Sequence, residues 1–197
     1  KRKSMLSYKE SLKILKETSA LLEGHFILSS GLHSERYVQC AKLLSKPHKA
    51  KDLCESLSEK IINEFKNIDI VLSPAIGGII IGYEIGKILN KETIFAERVN
   101  NQFTLRRGFK IQSGQKVLIV EDVITTGKSS LECSKLATDS GAEILGFACL
   151  IDRSNKKSKI TKTIISQIEI DVPVYNKNEI PEHLKKIKAI KPGSRDL

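Results

Sequence analysis

The sequence has no tryptophan, one methionine, and only four tyrosines and six phenylalanines in 197 residues. Grooves that stack nucleic-acid bases interleave aromatics with cations. The scarcity of aromatics therefore argues against nucleic acid as a partner, although the formal net charge is +10. No apolar run approaches the ~18 residues that cross a bilayer, so no membrane partner is expected. The start, Lys1-Arg2-Lys3-Ser4-Met5-Leu6, is basic with no apolar segment behind it, so no signal peptide is expected. Cysteine is sparse and unpaired in pattern. Cys40, Cys54, Cys133 and Cys149 form no Cys-x-x-Cys motif, and no histidine stands at zinc-ligand spacing from them. Free thiols in a reducing, cytoplasmic compartment are the expectation. No internal repeat is present.

What remains is ordinary for a globular chain, at 40% hydrophobic and 28% charged residues. That length buries a substantial core without disulfides or a structural metal. The lysines are scattered, which reads first as a solvated surface and second as a field suited to an anionic small molecule.

Ser7-Tyr8-Lys9-Glu10 reads as a capping box opening a helix whose apolar positions are Tyr8, Leu12, Leu15 and Leu22, with Gly24 as its stop. Phe26-Ile27-Leu28 and Tyr37-Val38-Gln39-Cys40 read as short strands around a turn at Ser29-Ser30-Gly31. Pro47 suits the first turn of a second helix, with Ala50, Leu53, Leu57, Ile61 and Phe65 as its core stripe. From there the rhythm changes. Ile68–Leu72 is a short, unalternating apolar run, as in a strand buried on both faces. A helix over 79–89, strands over 93–96, 116–120 and 144–151, and a helix ending near Ser140 complete a strand–helix alternation. That alternation predicts an α/β fold with a parallel sheet. Two stretches break it. Residues 97–113 are polar, arginine-bearing and long for a connection inside a domain. Residues 155–197 are lysine-rich and weakly patterned, and read as a peripheral layer.

The chemistry concentrates in Val117-Leu118-Ile119-Val120-Glu121-Asp122-Val123-Ile124-Thr125-Thr126-Gly127-Lys128-Ser129-Ser130. An apolar strand ends in two acids, a turn follows, and a helix begins. Free amides at a helix start receive a phosphate. Gly127 permits positive φ and close backbone approach. Thr125, Thr126 and Ser129 add hydroxyl donors. Glu121 and Asp122 repel phosphate but suit the hydroxyls of a sugar carrying one. The pattern reads as a ribose 5-phosphate cradle at the C-terminal end of a parallel strand. Gly127-Lys128-Ser129 imitates the end of a Walker A loop, but the required earlier glycine is replaced by Asp122. Gly77, Gly78 and Gly82 lack dinucleotide-fingerprint spacing.

This segment resembles the 5-phosphoribosyl 1-diphosphate signature of type I phosphoribosyltransferases: four apolar residues, two acids, two apolar residues, then Thr-x-Gly-x-Ser/Thr. Three further segments narrow the likeness to the orotate phosphoribosyltransferases. Residues 23–34, Glu-Gly-His-Phe-Ile-Leu-Ser-Ser-Gly-Leu-His-Ser, are similar to that family's N-terminal hood. Ser73-Pro74-Ala75-Ile76-Gly77-Gly78 resembles its pyrophosphate loop, and Leu150-Ile151-Asp152-Arg153 its strand ending in Asp-Arg. The resemblance implies a type I core over about 46–155, with a small hood over about 1–45 and part of the C-terminal tail. It implies transfer of ribosyl 5-phosphate from the diphosphate donor to orotate, giving orotidine 5′-monophosphate, with Mg2+ held mainly by the diphosphate.

At matched positions the resemblance implies that Glu121 and Asp122 hold ribosyl hydroxyls. Val123, Ile124, Thr125, Thr126, Gly127, Lys128 and Ser129 form the 5′-phosphate turn. Thr125 and Arg153 contact orotate, and backbone groups at Tyr37 and Val38 read the pyrimidine edge. A cis peptide at Ala75–Ile76 and a homodimer with shared active sites are also implied.

The sequence departs from that pattern at the cations. Gly77 replaces the lysine many members carry in the pyrophosphate loop, and His33 replaces another. The loop segment Glu97 to Gly108 has neither the family's lysine nor its histidine. Arg98, Arg106 and Arg107 are the candidates to stabilise the departing diphosphate, as electrostatic clamps too basic for proton transfer. No general acid is identified. Two alternatives stay open: a phosphoribosyltransferase for a purine or uracil, and a non-catalytic sensor of a ribosyl phosphate.

Overall fold

The computed structural model describes residues 5–192. Most of the basic start, residues 1–4, lies outside them. Helix α1 spans Tyr8–Glu17, and its capping box is formed: Ser7 N–H donates to Glu10 Oε2 at 2.7 Å, and Glu10 N–H donates to Ser7 Oγ at 3.3 Å. The helix stops earlier than the pattern suggested. The Thr18 hydroxyl donates to the Ile14 carbonyl at 2.8 Å, and Ser19 turns the chain at φ 61°. Leu22 and Gly24, expected on the helix and at its end, lie in strand β1, Leu21–Ile27.

Strand β1 pairs antiparallel with β2, His33–Val38, and β2 pairs with β9, Val174–Tyr175. Helices α2, Cys40–Leu44, and α3, Pro47–Glu64, follow. Gln39 and Cys40, expected to end the second strand, therefore lie outside β2, as the N-cap and first residue of α2. The predicted stripe of α3 faces the core, with Ala50, Leu53, Leu57 and Ile61 all buried.

The main sheet has the order β5-β4-β3-β6-β7-β8. Its strands are β3, Ile70–Pro74; β4, Glu92–Val99; β5, Gln102–Leu105; β6, Lys116–Ile124; β7, Glu143–Asp152; and β8, Ile164–Glu169. All neighbours run parallel except the β4–β5 pair. Helices α4, Gly77–Leu89, and α5, Lys128–Asp139, connect the central strands. Alternate residues of β6 enter separate cores: Leu118 and Val120 join one with α3 and α4, and Val117 and Ile119 join the other with α5. This period of two on a doubly covered strand explains its unbroken apolar sequence.

Two expectations are corrected. The stretch 97–113 is not all loop, because β4 continues to Val99 and returns as β5 through Asn100 and Asn101, both at positive φ (49° and 63°). A two-residue turn of that kind matches strand twist, and asparagine tolerates it. The tail is not only a peripheral layer: β8 is an edge strand of the main sheet, β9 joins the small sheet, and Ile190 bridges to Phe26. The sheet therefore reaches beyond residue 155, and the short α6, Glu182–Lys185, follows it.

Candidate active site

Strand order reverses between β3 and β6, since the chain proceeds from β3 to β4 on one side and from β6 to β7 on the other. Open parallel sheets bind ligands outside the carboxyl ends of the strands at such a point. Here those ends carry Pro74–Gly77 and Glu121–Gly127. The two segments touch: a Cβ on Gly77 would lie 2.9 Å from Asp122 Oδ2. The lysine absent from position 77 thus leaves room that Asp122 occupies. The Ala75–Ile76 peptide is cis.

The acids lie within β6 rather than beyond it, because β6 continues to Ile124 alongside β7. Asp122 Oδ1 accepts from Val123 N–H at 2.8 Å. Glu121 Oε2 accepts from the Ser130 hydroxyl. Burial raises the Glu121 carboxyl to about 7; the Ser130 hydrogen bond and Arg98 oppose that rise, and Asp122 adds to it. Burial also raises Asp122.

The turn that follows has the form its sequence suggested. Thr125 and Thr126 are exposed, Gly127 stands at φ 80° before α5, and Lys128 N–H donates to Thr126 Oγ1 at 3.3 Å. A side chain at Gly127 would meet Ile160 Cγ1 at 2.8 Å. Lys159 N–H donates to the Thr126 carbonyl at 2.9 Å. The segment around Lys159 and Ile160 therefore backs the turn, which the weak pattern of the tail gave no means of locating. Arg153 N–H donates to the Ile124 carbonyl at 2.9 Å. Its Nε is buried without a hydrogen-bond partner among the described residues, and burial lowers its pKa. Tyr37 and Val38 end β2, and nearby Cys40 points its thiol at the Asp122 carbonyl at 3.8 Å.

The three loop arginines separate. Arg98 Nη2 donates to Glu132 Oε2 at 2.6 Å and lies 3.5 Å from Ser129 Oγ, with its guanidinium 4.1 Å over Phe103. It thus sits beside the turn at the start of α5 in its own chain. Arg107 instead binds Glu97 with both Nε and Nη2 at 2.9 Å, and Arg106 Nη1 lies 4.0 Å from the same carboxylate. Among the described residues no group of three or more His, Cys, Asp or Glu side chains is placed to hold a metal ion.

The phosphoribosyl transferase domain model matches residues 42–186. The chain is 46% identical to the orotate phosphoribosyltransferase of Methylorubrum populi over 95% of this chain and 96% of that one. It is 48% identical to that of Rhizorhabdus wittichii over 89% and 90%. The chain belongs to the phosphoribosyl transferase family and, within it, to the orotate phosphoribosyltransferases. Among solved structures, the orotate phosphoribosyltransferase of Aeropyrum pernix superposes with a TM-score of 0.70 at 22% identity, covering 80% of this chain and 92% of that one. The adenine phosphoribosyltransferase of Thermoanaerobacter pseudethanolicus gives 0.57 at 18% identity, covering 68% and 88%. The fold therefore spans enzymes for different bases, and only the closer sequence relatives discriminate among them.

Proposed function

We propose that the chain transfers the ribosyl 5-phosphate group from 5-phosphoribosyl 1-diphosphate to orotate, releasing diphosphate and orotidine 5′-monophosphate. The observation that carries the reading is the juxtaposition at the end of β6. Two half-buried acids stand beside an exposed hydroxyl-bearing turn at the start of α5, and the pyrophosphate loop abuts Asp122. Glu121 and Asp122 receive the ribosyl hydroxyls. The amides and hydroxyls from Thr125 to Ser129 receive the 5′-phosphate. The unpartnered Arg153 Nε takes the orotate carboxylate, with Thr125 beside it. Departure of diphosphate leaves an oxocarbenium-like sugar, and cations set in advance lower the energy of that charge separation. Arg98 is placed to serve its own subunit's site. Arg106 and Arg107 serve once diphosphate replaces Glu97 as their partner. Magnesium would be held mainly by the diphosphate of the donor and would supply neutralisation of part of its charge.

A homodimer fits the surface of α4. Ile76, Ile80 and Tyr83 recur on one face and are 86%, 52% and 63% exposed. An apolar stripe of this kind beside a site supports pairing with a second copy. The four buried, free cysteines fit a cytoplasmic setting.

Incubating the protein with donor, magnesium and, separately, orotate, uracil or adenine tests the reading by chromatography of the nucleotide formed. Orotate alone should be converted. Conversion of adenine or uracil instead would favour the purine or uracil reading, and donor binding without conversion of any base would favour a sensor.

A further inference from the structure

The two adjacent serines at the start of α5 face different ways. Ser129 is half-buried beside Arg98, as a ligand-facing hydroxyl would be. Ser130 is fully buried, at 0% exposure, and its hydroxyl donates to Glu121 Oε2. Among the described residues this is the side-chain hydrogen bond that Glu121 receives. The other groups facing Glu121 are Asp122 on its own strand, Arg98 on β4, Cys133 on α5 and Cys149 on β7. Burial holds both thiols well above their ordinary value, so they stay neutral. Ser130 is therefore the neutral donor that selects which carboxylate oxygen is tied down.

We propose that Ser130 is a positioning residue for the acid pair: it fixes Glu121 through Oε2 and leaves Oε1 directed to a hydroxyl of the ribosyl ring. This rests on the phosphoribosyl-transfer reading of the same site. A donor to a carboxylate favours its charged form. Glu121 is raised to about 7 by burial against that hydrogen bond. Without the hydroxyl, Glu121 gains its proton at higher pH, and less of it remains as the acceptor that the sugar requires. A hydroxyl serving only to pack α5 against β6 would leave this titration unmoved.

The test is carboxyl 13C NMR titration of Glu121, assigned through Glu121→Gln, in the wild type, Ser130→Ala and Ser130→Cys. Its readout needs no catalysis, so it stands apart from the assignment of the reaction. The midpoint should rise by about one pH unit in Ser130→Ala. It should rise less in Ser130→Cys, which keeps the shape and a weak donor. In steady-state kinetics, the KM for the diphosphate donor at pH 7 should rise roughly fivefold in Ser130→Ala and recover above pH 8, with kcat changed less. In a Glu121→Gln background, Ser130→Ala should add almost nothing. An unmoved midpoint in both folded variants would overturn the proposal, as would an equal KM penalty with and without Glu121. Failure of the wild type to convert orotate, with the midpoint shifted as expected, would instead count against the reaction and leave the positioning role standing.

Discussion

Glu121 and Asp122 are neighbours with different surroundings, and each gives its own prediction. Asp122 touches the space above Gly77 and is fixed by the Val123 amide. Asp122→Asn should keep the fold and lose activity by about 2–4 kcal/mol in barrier, roughly 30- to 1000-fold, since it removes a charged hydrogen bond formed in the transition state. Turnover within a factor of three of wild type, with an unchanged melting curve, would contradict that role. Glu121 gives a stability prediction. Its carboxyl stands near 7 in the folded chain against an ordinary 4.5. Folding therefore favours its protonated form, and that contribution is complete below about 4.5 and lost as pH rises to about 7. Glu121→Gln removes the penalty of a buried charge. It should be more stable than wild type at pH 8 by on the order of 2 kcal/mol, with no difference at pH 4, as followed by urea unfolding at both pH values. The reverse order at pH 8 would mean that Glu121 is better solvated than its burial implies. The types and order of these residues were legible in the sequence. The depth of Glu121 and its tie to Ser130 were not, because they depend on α5 folding back over β6.

Among the elements, β6 was read too short and the arginine segment too loosely, for related reasons. Acids inside a strand look like a strand end when only hydropathy is followed, and here the polar end of the strand carries the candidate site. The hairpin had a signal in Asn100-Asn101 between Val99 and Gln102, a two-residue turn that length and polarity concealed. Gly77 shows packing that no pattern announces. Gly77→Ala would place a methyl group 2.9 Å from Asp122 Oδ2 and push that carboxylate aside. The expected result is at least a tenfold fall in kcat/KM with a stability loss of about 1 kcal/mol. Unaltered kinetics in Gly77→Ala would show that the two segments separate when substrate binds.

Across the whole molecule, the strand–helix rhythm from 68 to 151 was enough to predict a parallel α/β fold, because central strands buried on both faces must be apolar throughout. The tail was not legible: β8 is an edge strand in which only Gln167 and Ile168 are buried, and β9 is two residues long. Site sharing between subunits is a prediction at this scale. Arg107 is held by Glu97, whereas Arg98 sits beside Ser129 at the start of α5. If Arg107 acts across a dimer, mixing Asp122→Asn with Arg107→Ala chains puts both lesions in one site of each mixed dimer and none in the other. With each mutant nearly inactive alone and exchange demonstrated, about a quarter of wild-type sites should return. No recovery would place Arg107 in its own subunit's site. The central claim, that this acid pair and turn carry phosphoribosyl transfer to orotate, is tested most directly by the absorbance of orotate with donor and magnesium, wild type beside Asp122→Asn. The account predicts stoichiometric loss of orotate in the wild type, one diphosphate released per orotate consumed, and a far slower loss in the variant. No loss in the folded wild type, or equal loss in both, would contradict it.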